Sequence, residues 1–436
     1  MLDIKFIREN KDIVIAGAQK KHVDVDIDAL LSLDEKRLEV MSRVEFLRSE
    51  QNKVSQAMGT NLDQAVRAQM IEEMRIVKEE FKEKDEELAK IVGEWQALML
   101  KIPNIPSLDT PEGPDESGNQ VIKEWGEKRE FTFTPKEHFE LGKNLGIIDT
   151  ETAAEVASSR FAYLKGDLVL LQFALIQMCL EILTNKETLE GIAQEAGLSL
   201  VPRSFIPVIP PVFVRPLVQV KMARYMAPDD HYVFPNDDLM LIGSAEHTLG
   251  SMHMNKIFEE SELPIRYAGY STAFRREAGT SGKDTSGILR QHQFDKLEME
   301  VFSLPENSKQ EQNFLVAIQE HVLQKLELPY QVILVCAGDM GFPDTRQMDI
   351  NTWMPGQNTY RETHSSDSTG GFQARRLNTR VRRQDGKIEP VHMNDATVVA
   401  IGRTLIAIME NYQEEDGSIK IPQVLQKYIG KDTISR

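Results

Sequence analysis

The chain has 436 residues, with 68 Asp and Glu against 51 Lys and Arg, and its formal net charge at pH 7 is −17. That length predicts two or three domains, and the acidic balance excludes nucleic-acid or membrane binding through bulk charge, though it leaves room for a local basic patch. Two cysteines, a charged start (MLDIKFIRENKD) and the absence of an apolar run of about 18 residues predict a soluble, cytoplasmic protein without disulfides, signal peptide or membrane helix.

The first quarter of the chain shows two apolar stripes at alternating spacings of three and four residues. The first stripe comprises Leu30, Leu33, Arg37, Val40, Val44, Leu47, Gln51, Val54 and Met58, and the second Ile71, Met74, Lys78, Phe81, Asp85, Leu88, Val92, Trp95 and Met99. A turn signal, GTNLD at 59–63, separates them. The pattern predicts an antiparallel helical hairpin with arms about 45 Å long. A dimerisation coiled coil is the alternative, although the polar stripe members favour a solvated arm.

A domain boundary is predicted within IPNIPSLDTPEGPDESGN at 102–119, where Pro, Gly and acidic residues dominate. Beyond it, helical stretches (168–195, 308–327 and 396–412) alternate with strand-like runs such as 201–215. Because the strands cluster without regular βαβ spacing, an α+β fold is expected, with an antiparallel sheet flanked by helices.

Chemistry-bearing residues first concentrate in FRREAGTSGKDTSGILRQHQFDKLEME at 274–300. Arg290, Phe294, Lys296 and Glu298 have the same parity, so they can share one strand face, on which the pattern predicts a cation, an aromatic ring and a carboxylate. Arg275 and Glu277 also share a parity, and the intervening 279–287 is expected to be a mobile loop. On such a face the cation suits a triphosphate, the aromatic ring a nucleobase and the carboxylate a polar group of a substrate. A salt-bridged surface strand is the alternative. The pattern of a P-loop is absent.

Two further clusters follow. Glu362 and Ser365 offer the oxygen ligands that magnesium prefers. The basic run Arg375, Arg376, Arg380, Arg382 and Arg383 suits phosphate or RNA contacts, or equally a solvated strand pair that balances acidic neighbours. Residues 392–413 are interpreted as a helix with one arginine, Arg403, which is expected to be engaged by a partner or ligand. His364 and His392 lack partners at metal-ligand spacing and are interpreted as structural.

These segments resemble those of bacterial-type seryl-tRNA synthetases, a family of class II aminoacyl-tRNA synthetases. IPVIPPVFVR at 206–215 resembles motif 1, the 274–300 segment motif 2, and GRTLIAIMENYQ at 402–413 motif 3, with FQARRLNTR at 372–380 between them. The resemblance implies a six- to seven-stranded antiparallel catalytic sheet at 111–436 and an N-terminal tRNA-binding domain at 1–110 with a hairpin at about 28–100. It also implies a homodimer with motif 1 at its interface, and an arm that grips the long variable arm of serine tRNA.

The resemblance assigns site residues as well. It implies ATP, L-serine and tRNA(Ser) as substrates, tRNA(Sec) as a further candidate acceptor, Mg²⁺ as cofactor and no membrane partner. The implied ATP-binding residues are Arg275, Arg276, Glu277, Arg290, Phe294, Glu362, Ser365 and Arg403. The implied serine-binding residues are Ser244, Ala245, Glu246, Arg275, Glu298, Asp395 and Thr397. Glu362 and Ser365 would hold the metal, and Arg275 and Arg403 would be catalytic.

The chain departs from the family pattern at two of these positions. Ser244 stands where the family usually has Thr, and Asp395 where it usually has Asn, although a shift of one residue would place Asn394 there instead. The departures bear on amino-acid specificity. Two other functions fit the same motifs: a ligase that loads an amino acid onto a carrier protein, whose relatives lack the hairpin, and a noncatalytic tRNA-binding paralogue, which should have lost the motif arginines.

Overall fold

The protein forms two compact units, Met1–Pro103 and Asn104–Arg436. The structure is a computed structural model, and it describes residues 1–58, 63–200, 203–225, 228–278 and 286–436. The predicted turn at 59–63 and the predicted loop at 279–287 lie almost entirely outside the described residues. The two units are taken in turn.

The first unit is helical. Its helices are α1 (Ile4–Glu9), α2 (Lys11–Lys20), α3 (Ile27–Ala57) and α4 (Gln64–Lys101). The two long helices begin at aspartate caps, since Asp26 accepts a hydrogen bond from the backbone N–H of Ala29, and Asp63 one from that of Ala65. Together α3 and α4 form the predicted hairpin.

The seam of the hairpin differs from the predicted stripe on α4. On α3 the predicted Val40, Val44 and Leu47 are buried. The seam positions of α4 are Met74, Val77, Phe81, Lys84, Leu88, Ile91, Trp95 and Leu98. Lys78 and Asp85, which the stripe placed in the seam, are exposed. The phase of the stripe was therefore wrong at these positions, because the helix turns Lys78 and Asp85 to solvent and half-buries the residue before each, Val77 and Lys84.

The second unit combines helices with several sheets. Its helices are α5 (His138–Leu145), α6 (Thr150–Val156), α7 (Asp167–Thr184), α8 (Lys186–Glu195), α9 (Pro216–Met222), α10 (Glu246–Leu249), α11 (Ser308–Lys325), α12 (Phe372–Leu377), α13 (Ile401–Asn411) and α14 (Gln423–Ile429). Its strands are β1 (Gln120–Trp125), β2 (Ile148–Asp149), β3 (Tyr163–Leu164), β4 (Ile206–Val208), β5 (Phe213–Val214), β6 (Val233–Phe234), β7 (Leu239–Leu241), β8 (Ile257–Glu259), β9 (Ile265–Phe274), β10 (Gln293–Ser303), β11 (Tyr330–Leu334), β12 (Arg346–Met354), β13 (Thr359–Gly370), β14 (Arg380–Arg382), β15 (Ile388–Pro390), β16 (His392–Ala400), β17 (Ile419–Lys420) and β18 (Thr433–Ile434).

One large sheet dominates this unit, in the order β1-β11-β12-β13-β16-β10-β9-β4. All neighbours in it are antiparallel except β4 and β9, which run parallel. The α+β fold with an antiparallel sheet is thus confirmed. Within the described residues the sheet has eight strands, because β1 and β4 extend the implied six or seven at its two edges.

The predicted helix at 396–412 is wrong in its first part. Residues His392–Ala400 form β16 in the middle of the sheet, and α13 begins only at Ile401. The run Thr397, Val398 and Val399 is β-branched, which favours a strand. It is also almost wholly buried, and a buried strand has no alternating polarity to distinguish it from a buried helix.

Helix α7 contradicts the prediction that no apolar segment reaches membrane length. Asp167–Thr184 is long and apolar enough to cross a membrane by length and composition alone. Its apolarity has another cause in this structure, because Leu171, Leu175 and Leu183 are completely buried in the main core. That core lies on one face of the large sheet, between the sheet and α7, α11 and α13, and leaves the other face to the site.

Candidate active site

Two adjoining cavities open on the face of the sheet opposite the main core. The first, of about 340 Å³, is lined by Arg275, Glu277, Ile288, Leu289, Arg290, Gln291, Phe294, Lys296, Gln347, Glu362, Thr363, Ser365, Thr397, Ala400, Gly402 and Arg403. The second, of about 360 Å³, shares Leu289, Arg290, Glu362 and Arg403 with it and adds acidic groups such as Asp339 and Asp349. Eight of the fourteen predicted site residues therefore line one cavity.

The parity argument explains only part of this gathering. Phe294 and Glu298 do share a face of β10, but Arg290 precedes the strand, and Arg275 and Glu277 follow the end of β9. Glu277 has φ +51°, so the chain turns sharply there. Its carboxylate forms an ion pair with Arg290, which brings that arginine to the cavity from the loop. The guanidinium of Arg275 lies 5.3 Å from the ring centre of Phe294, within cation–π distance.

A buried carboxylate, Glu298, is the centre of the polar floor beside the first cavity. Ser244 and Thr397 donate hydrogen bonds to its Oε1 over 3.3 and 3.2 Å. The ammonium of Lys296 forms an ion pair with the same oxygen, and Lys296 also lies 3.4 Å from the hydroxyl of Ser244. Burial raises the pKa of Glu298, and the charge of Lys296 partly offsets that rise. The floor can therefore both accept and donate hydrogen bonds to a small polar ligand.

Lys296 is a site residue that the sequence-based assignment missed. It has the parity of Phe294 and Glu298, so the alternation of β10 already placed it on the cavity face. Its side chain is only 10% exposed, and its charge lies next to a carboxylate. The strand alternation indicated its face, but the family resemblance assigned it no role.

Strand β13 carries Glu362 and Ser365 on one face through a β-bulge. Residues three apart on a regular strand point to opposite faces. In the pairing with β12, Asn351 faces Glu362 and Ile350 faces His364, so Thr363 is the extra residue. The bulge lets both predicted metal ligands line the first cavity.

The oxygen groups around this bulge fit a hard divalent cation. The side chain of Glu362 is half exposed, and one of its oxygens lies 3.2 Å from Arg403. Asp349 pairs with Ser365 across the strands, and its pKa is raised well above the ordinary value by burial and by the nearby charge of Glu362. Carboxylate oxygens beside a hydroxyl are the kind of ligands that a magnesium ion prefers.

Strand β16 decides between the two registers left open for its polar residues. Asp395 and Thr397 lie on the cavity face of the sheet, whereas Asn394 exchanges hydrogen bonds with Ser308 at the start of α11, on the opposite face. Asp395, and not Asn394, therefore lies next to the Glu298 floor. Its carboxyl group is 3.6 Å from the guanidinium of Arg224.

Six predicted site residues line neither cavity. Ser244 and Glu298 form the floor and Asp395 lies beside it, whereas the other three are engaged elsewhere. Ala245 is completely buried in an apolar cluster. Glu246 is engaged by Arg224, with 2.8 Å between its Oε1 and the arginine Nε. Arg276 is exposed and lies over the ring of Tyr232 at 6.0 Å, so its side chain leaves the site although its neighbour Arg275 enters it. Adjacent residues in an extended segment point in opposite directions, which explains the difference.

The basic run at 375–383 is not a continuous basic patch. Arg376 is buried over Phe372 and donates to a backbone carbonyl. Arg382 pairs with Glu259 and Arg383 with Glu306. The alternative of a strand pair that balances acidic neighbours describes Arg382 and Arg383, whereas Arg376 lies on helix α12. His364 is buried and bonded to Thr363, in line with its structural interpretation.

An antiparallel sheet that presents arginines, a stacked phenylalanine and a bulged acidic strand on one face defines a class II aminoacyl-tRNA ligase core. The class II core model for the G, H, P, S and T synthetases matches residues 232–412, and the model of the seryl-tRNA synthetase N-terminal domain matches residues 1–106. The chain belongs to the seryl-tRNA synthetase family.

Similar proteins cover the whole chain. The serine–tRNA ligase of Symbiobacterium thermophilum is 40% identical over 438 residues, which is 100% of both chains. That of Thermodesulfovibrio yellowstonii is 39% identical over 440 residues, again 100% of both. Among solved structures, the seryl-tRNA synthetase of Pyrococcus horikoshii complexed with ATP superimposes with a TM-score of 0.86 at 35% identity, covering 100% of this chain and 99% of that one. The cytoplasmic serine–tRNA ligase of Naegleria fowleri in complex with AMP gives 0.82 at 28% identity, with 100% and 99% coverage.

The Lys296–Glu298 pair generates a stability prediction. Lys296→Met leaves a buried carboxylate without its cation and should lower the free energy of unfolding by about 3–5 kcal/mol. The double variant Lys296→Met/Glu298→Met should recover much of that loss, because no charge is left buried. Urea denaturation of the full chain, followed by circular dichroism, measures both.

The same pair predicts a pH dependence. A carboxyl group whose pKa in the folded state exceeds that in the unfolded state costs stability as the pH rises through the folded value. The defect of Lys296→Met should therefore shrink as the pH is lowered towards 4.5, the ordinary value for glutamate. A loss that is independent of pH, or equal losses in the single and double variants, would contradict the assignment of a buried ion pair.

Proposed function

We propose that this protein activates L-serine with ATP and transfers it to tRNA(Ser), the reaction of its family, with the Glu298 floor as the serine site. The observation that carries the proposal is the convergence of Ser244, Lys296 and Thr397 on one buried carboxylate beside a cavity that Arg275 lines. Such a floor matches a hydroxymethyl group, which both donates and accepts a hydrogen bond.

The activation step needs positioning and charge stabilisation more than a general base. The serine carboxylate is already ionised and attacks the α-phosphate in line. A bond forms between the carboxylate oxygen and phosphorus, the bond to the β-phosphate oxygen breaks, and pyrophosphate leaves. The activated serine then passes to tRNA with release of AMP. Fixed cations that face the charge developing in such a transition state can supply most of the acceleration.

Different cavity residues are assigned to different parts of the ATP molecule. We assign Arg275 to the α-phosphate and the serine carboxylate, because it donates to the carbonyl of Gly243, the neighbour of Ser244, and its guanidinium lies over Phe294. Arg290 is assigned to the γ-phosphate. Phe294 and Arg403 line the same cavity and would hold the adenine between a ring and a guanidinium. The ion pairs of Arg290 with Glu277 and of Arg403 with Glu362 hold these two cations ready for the ligand.

Magnesium is proposed as the metal that accompanies ATP. Glu362 and Ser365 would hold it, with Asp349 as a further oxygen group next to them. When bound, the ion neutralises phosphate charge and helps the leaving group depart. The chain's own contribution is the bulge that presents both side chains on the cavity face.

The N-terminal unit is proposed to bind tRNA. We divide the protein into a tRNA-binding domain at 1–110 and a catalytic domain at 111–436, and we expect α3 and α4 to contact an RNA element far from the acceptor end. The length of the hairpin and its mixed-charge surface support this role. A carrier-protein ligase would not need such an arm. Charging of tRNA(Sec) by the same site, and a cytoplasmic location, complete the proposal.

A homodimer through motif 1 is proposed from the surface of the catalytic unit. The edge strand β4 and the following segment expose Ile206, Ile209, Phe213 and Leu217, and Ile209 is 85% exposed. A contiguous set of large apolar side chains beside an open sheet edge is a surface that proteins usually cover.

Serine-dependent ATP–pyrophosphate exchange tests the function directly. With magnesium present, serine should support rapid exchange, and alanine, which lacks the hydroxyl, should be rejected by a factor of about 10⁴ or more. Threonine, glycine and cysteine complete the comparison. Alanine turnover comparable to that of serine would overturn the serine assignment.

Arg275 and Arg276 form a matched pair for testing the phosphate site. Arg275→Ala should lower the exchange rate by about 10²- to 10³-fold, since it removes a cation aimed at the transition state. Arg276→Ala serves as the control and should stay within about threefold of wild type, because its side chain lies over Tyr232. If both variants lose activity equally, the assignment of Arg275 is wrong.

Deletion of residues 30–99 separates activation from tRNA binding. The proposed active-site residues all lie beyond residue 240, so exchange should persist while tRNA charging at low tRNA concentration is strongly impaired. Sedimentation of the truncated protein should still show a dimer. A monomer that loses exchange together with charging would instead support the hairpin as a dimerisation element.

A further inference from the structure

Three buried acids stand in one row across the central strands. Glu300 on β10 is directly opposite Asp395 on β16, and Asp395 is directly opposite Asp367 on β13. Each is less than 8% exposed. Like charges directly opposite each other in a sheet are destabilising, and burial increases the cost. The row therefore requires a compensating charge or retained protons.

One partly buried cation, Arg224, with a side chain that is 15% exposed, lies among these groups. It follows α9, and its Nη2 is 3.4 Å from Asp367, 3.6 Å from Asp395 and 3.8 Å from Asp344. Its Nε is 2.8 Å from Glu246. The planar guanidinium can face several carboxylates at once, which a lysine ammonium cannot do with the same geometry.

The pKa values of the cluster agree with this arrangement. Burial would raise the pKa of Glu246, but the charge of Arg224 holds it well below its ordinary value. Burial and the neighbouring carboxylates raise the pKa of Asp395, Asp367 and Glu300 well above theirs. The charge of Arg224 thus favours the ionised form of Glu246, and burial favours the protonated forms of the three acids in the row.

The cluster is connected to the serine floor at three places. Glu246 lies two residues after Ser244, Glu300 two residues after Glu298, and Asp395 two residues before Thr397. On β10 and β16 a separation of two keeps both side chains on one face, whereas Ser244 and Glu246 lie together at the start of α10. Each of the three segments that form the floor therefore also carries one acid of the Arg224 cluster.

We propose that Arg224 is a positioning residue for amino-acid recognition: it ties together the segments that carry Ser244, Glu298 and Thr397, and so sets the affinity for the amino acid and not that for ATP. The inference rests on the proposed serine function and deepens it. It also gives Asp395 a role, since this carboxylate is a partner of Arg224 and not an additional charge facing the ATP phosphates.

A metal ion is the competing occupant of the cluster. Oxygens of Glu246, Asp367 and Asp395 lie within 4.8 Å of one another, a spacing that could hold a cation. The guanidinium of Arg224 already lies beside all three, so the observations favour the arginine as their cation.

Steady-state exchange kinetics of the full chain test the inference. Arg224→Lys should raise the KM for serine about 10- to 100-fold, as for other residues that orient a site from behind, and leave the KM for ATP within about twofold. Arg266→Lys is the matched control: Arg266 is completely buried and paired with Glu311, so its loss should lower stability without changing the KM for serine. Asp395→Asn combined with Arg224→Lys should give a non-additive effect on that KM.

A second variant, tested by chemical rescue with free guanidinium, keeps the inference testable if Arg224→Lys folds poorly. Arg224→Ala leaves a space shaped for a guanidinium, and millimolar guanidinium chloride should lower its KM for serine, whereas sodium chloride should not. Equal changes in both KM values, an unchanged KM for serine, or rescue by Ca²⁺ alone would overturn the inference, the last in favour of a metal site. Absence of serine exchange in the wild-type protein would instead refute the proposed function, so the two failures are distinguishable.

Discussion

The cost of burying a carboxylate governs the catalytic face of this protein. Glu298 lies on a central strand with almost no access to water, and an unpaired charge there would cost several kcal/mol. Lys296 and the hydroxyl groups of Ser244 and Thr397 offset that cost by pairing with the carboxylate. These partners come from three separate segments, so the same constraint that requires partners for Glu298 also brings the polar floor together. The ATP side of the site is built on the same face.

The sequence predicted the fold, and eight of the fourteen residues predicted for the site line one cavity. The failures have physical causes. Periodicity is a reliable guide where one face is buried and the other is wet, as in α3. It fails for β16, which is buried on both faces and therefore has no alternation to detect. It fails in detail for α4, where the choice between Val77 and Lys78 depends on which side chain can reach water.

Residues recruited by tertiary contacts were the ones that sequence reasoning missed. Lys296 could have been found from its parity. Arg224 could not, because it follows a short helix about 70 residues from the nearest strand of the acid row and belongs to no motif. Arg290 reaches the cavity through Glu277 and not through strand alternation, and Arg276 leaves it although the motif includes it. The motif resemblance indicated which segments lie near the cavities, and tertiary contacts determine which side chains of those segments line them.

The bulge at Thr363 has a consequence for how this catalytic domain can change during evolution. Side chains on a strand alternate, so gain or loss of one residue exchanges the two faces of everything beyond it. Shortening β13 by that residue would direct Ser365 and Asp367 into the core and Ser366 towards the ligand. A point substitution on this strand is consequently a milder change than any alteration of its length. Insertions are better accommodated in the surface loops between strands, where they do not change which side chains face the cavity.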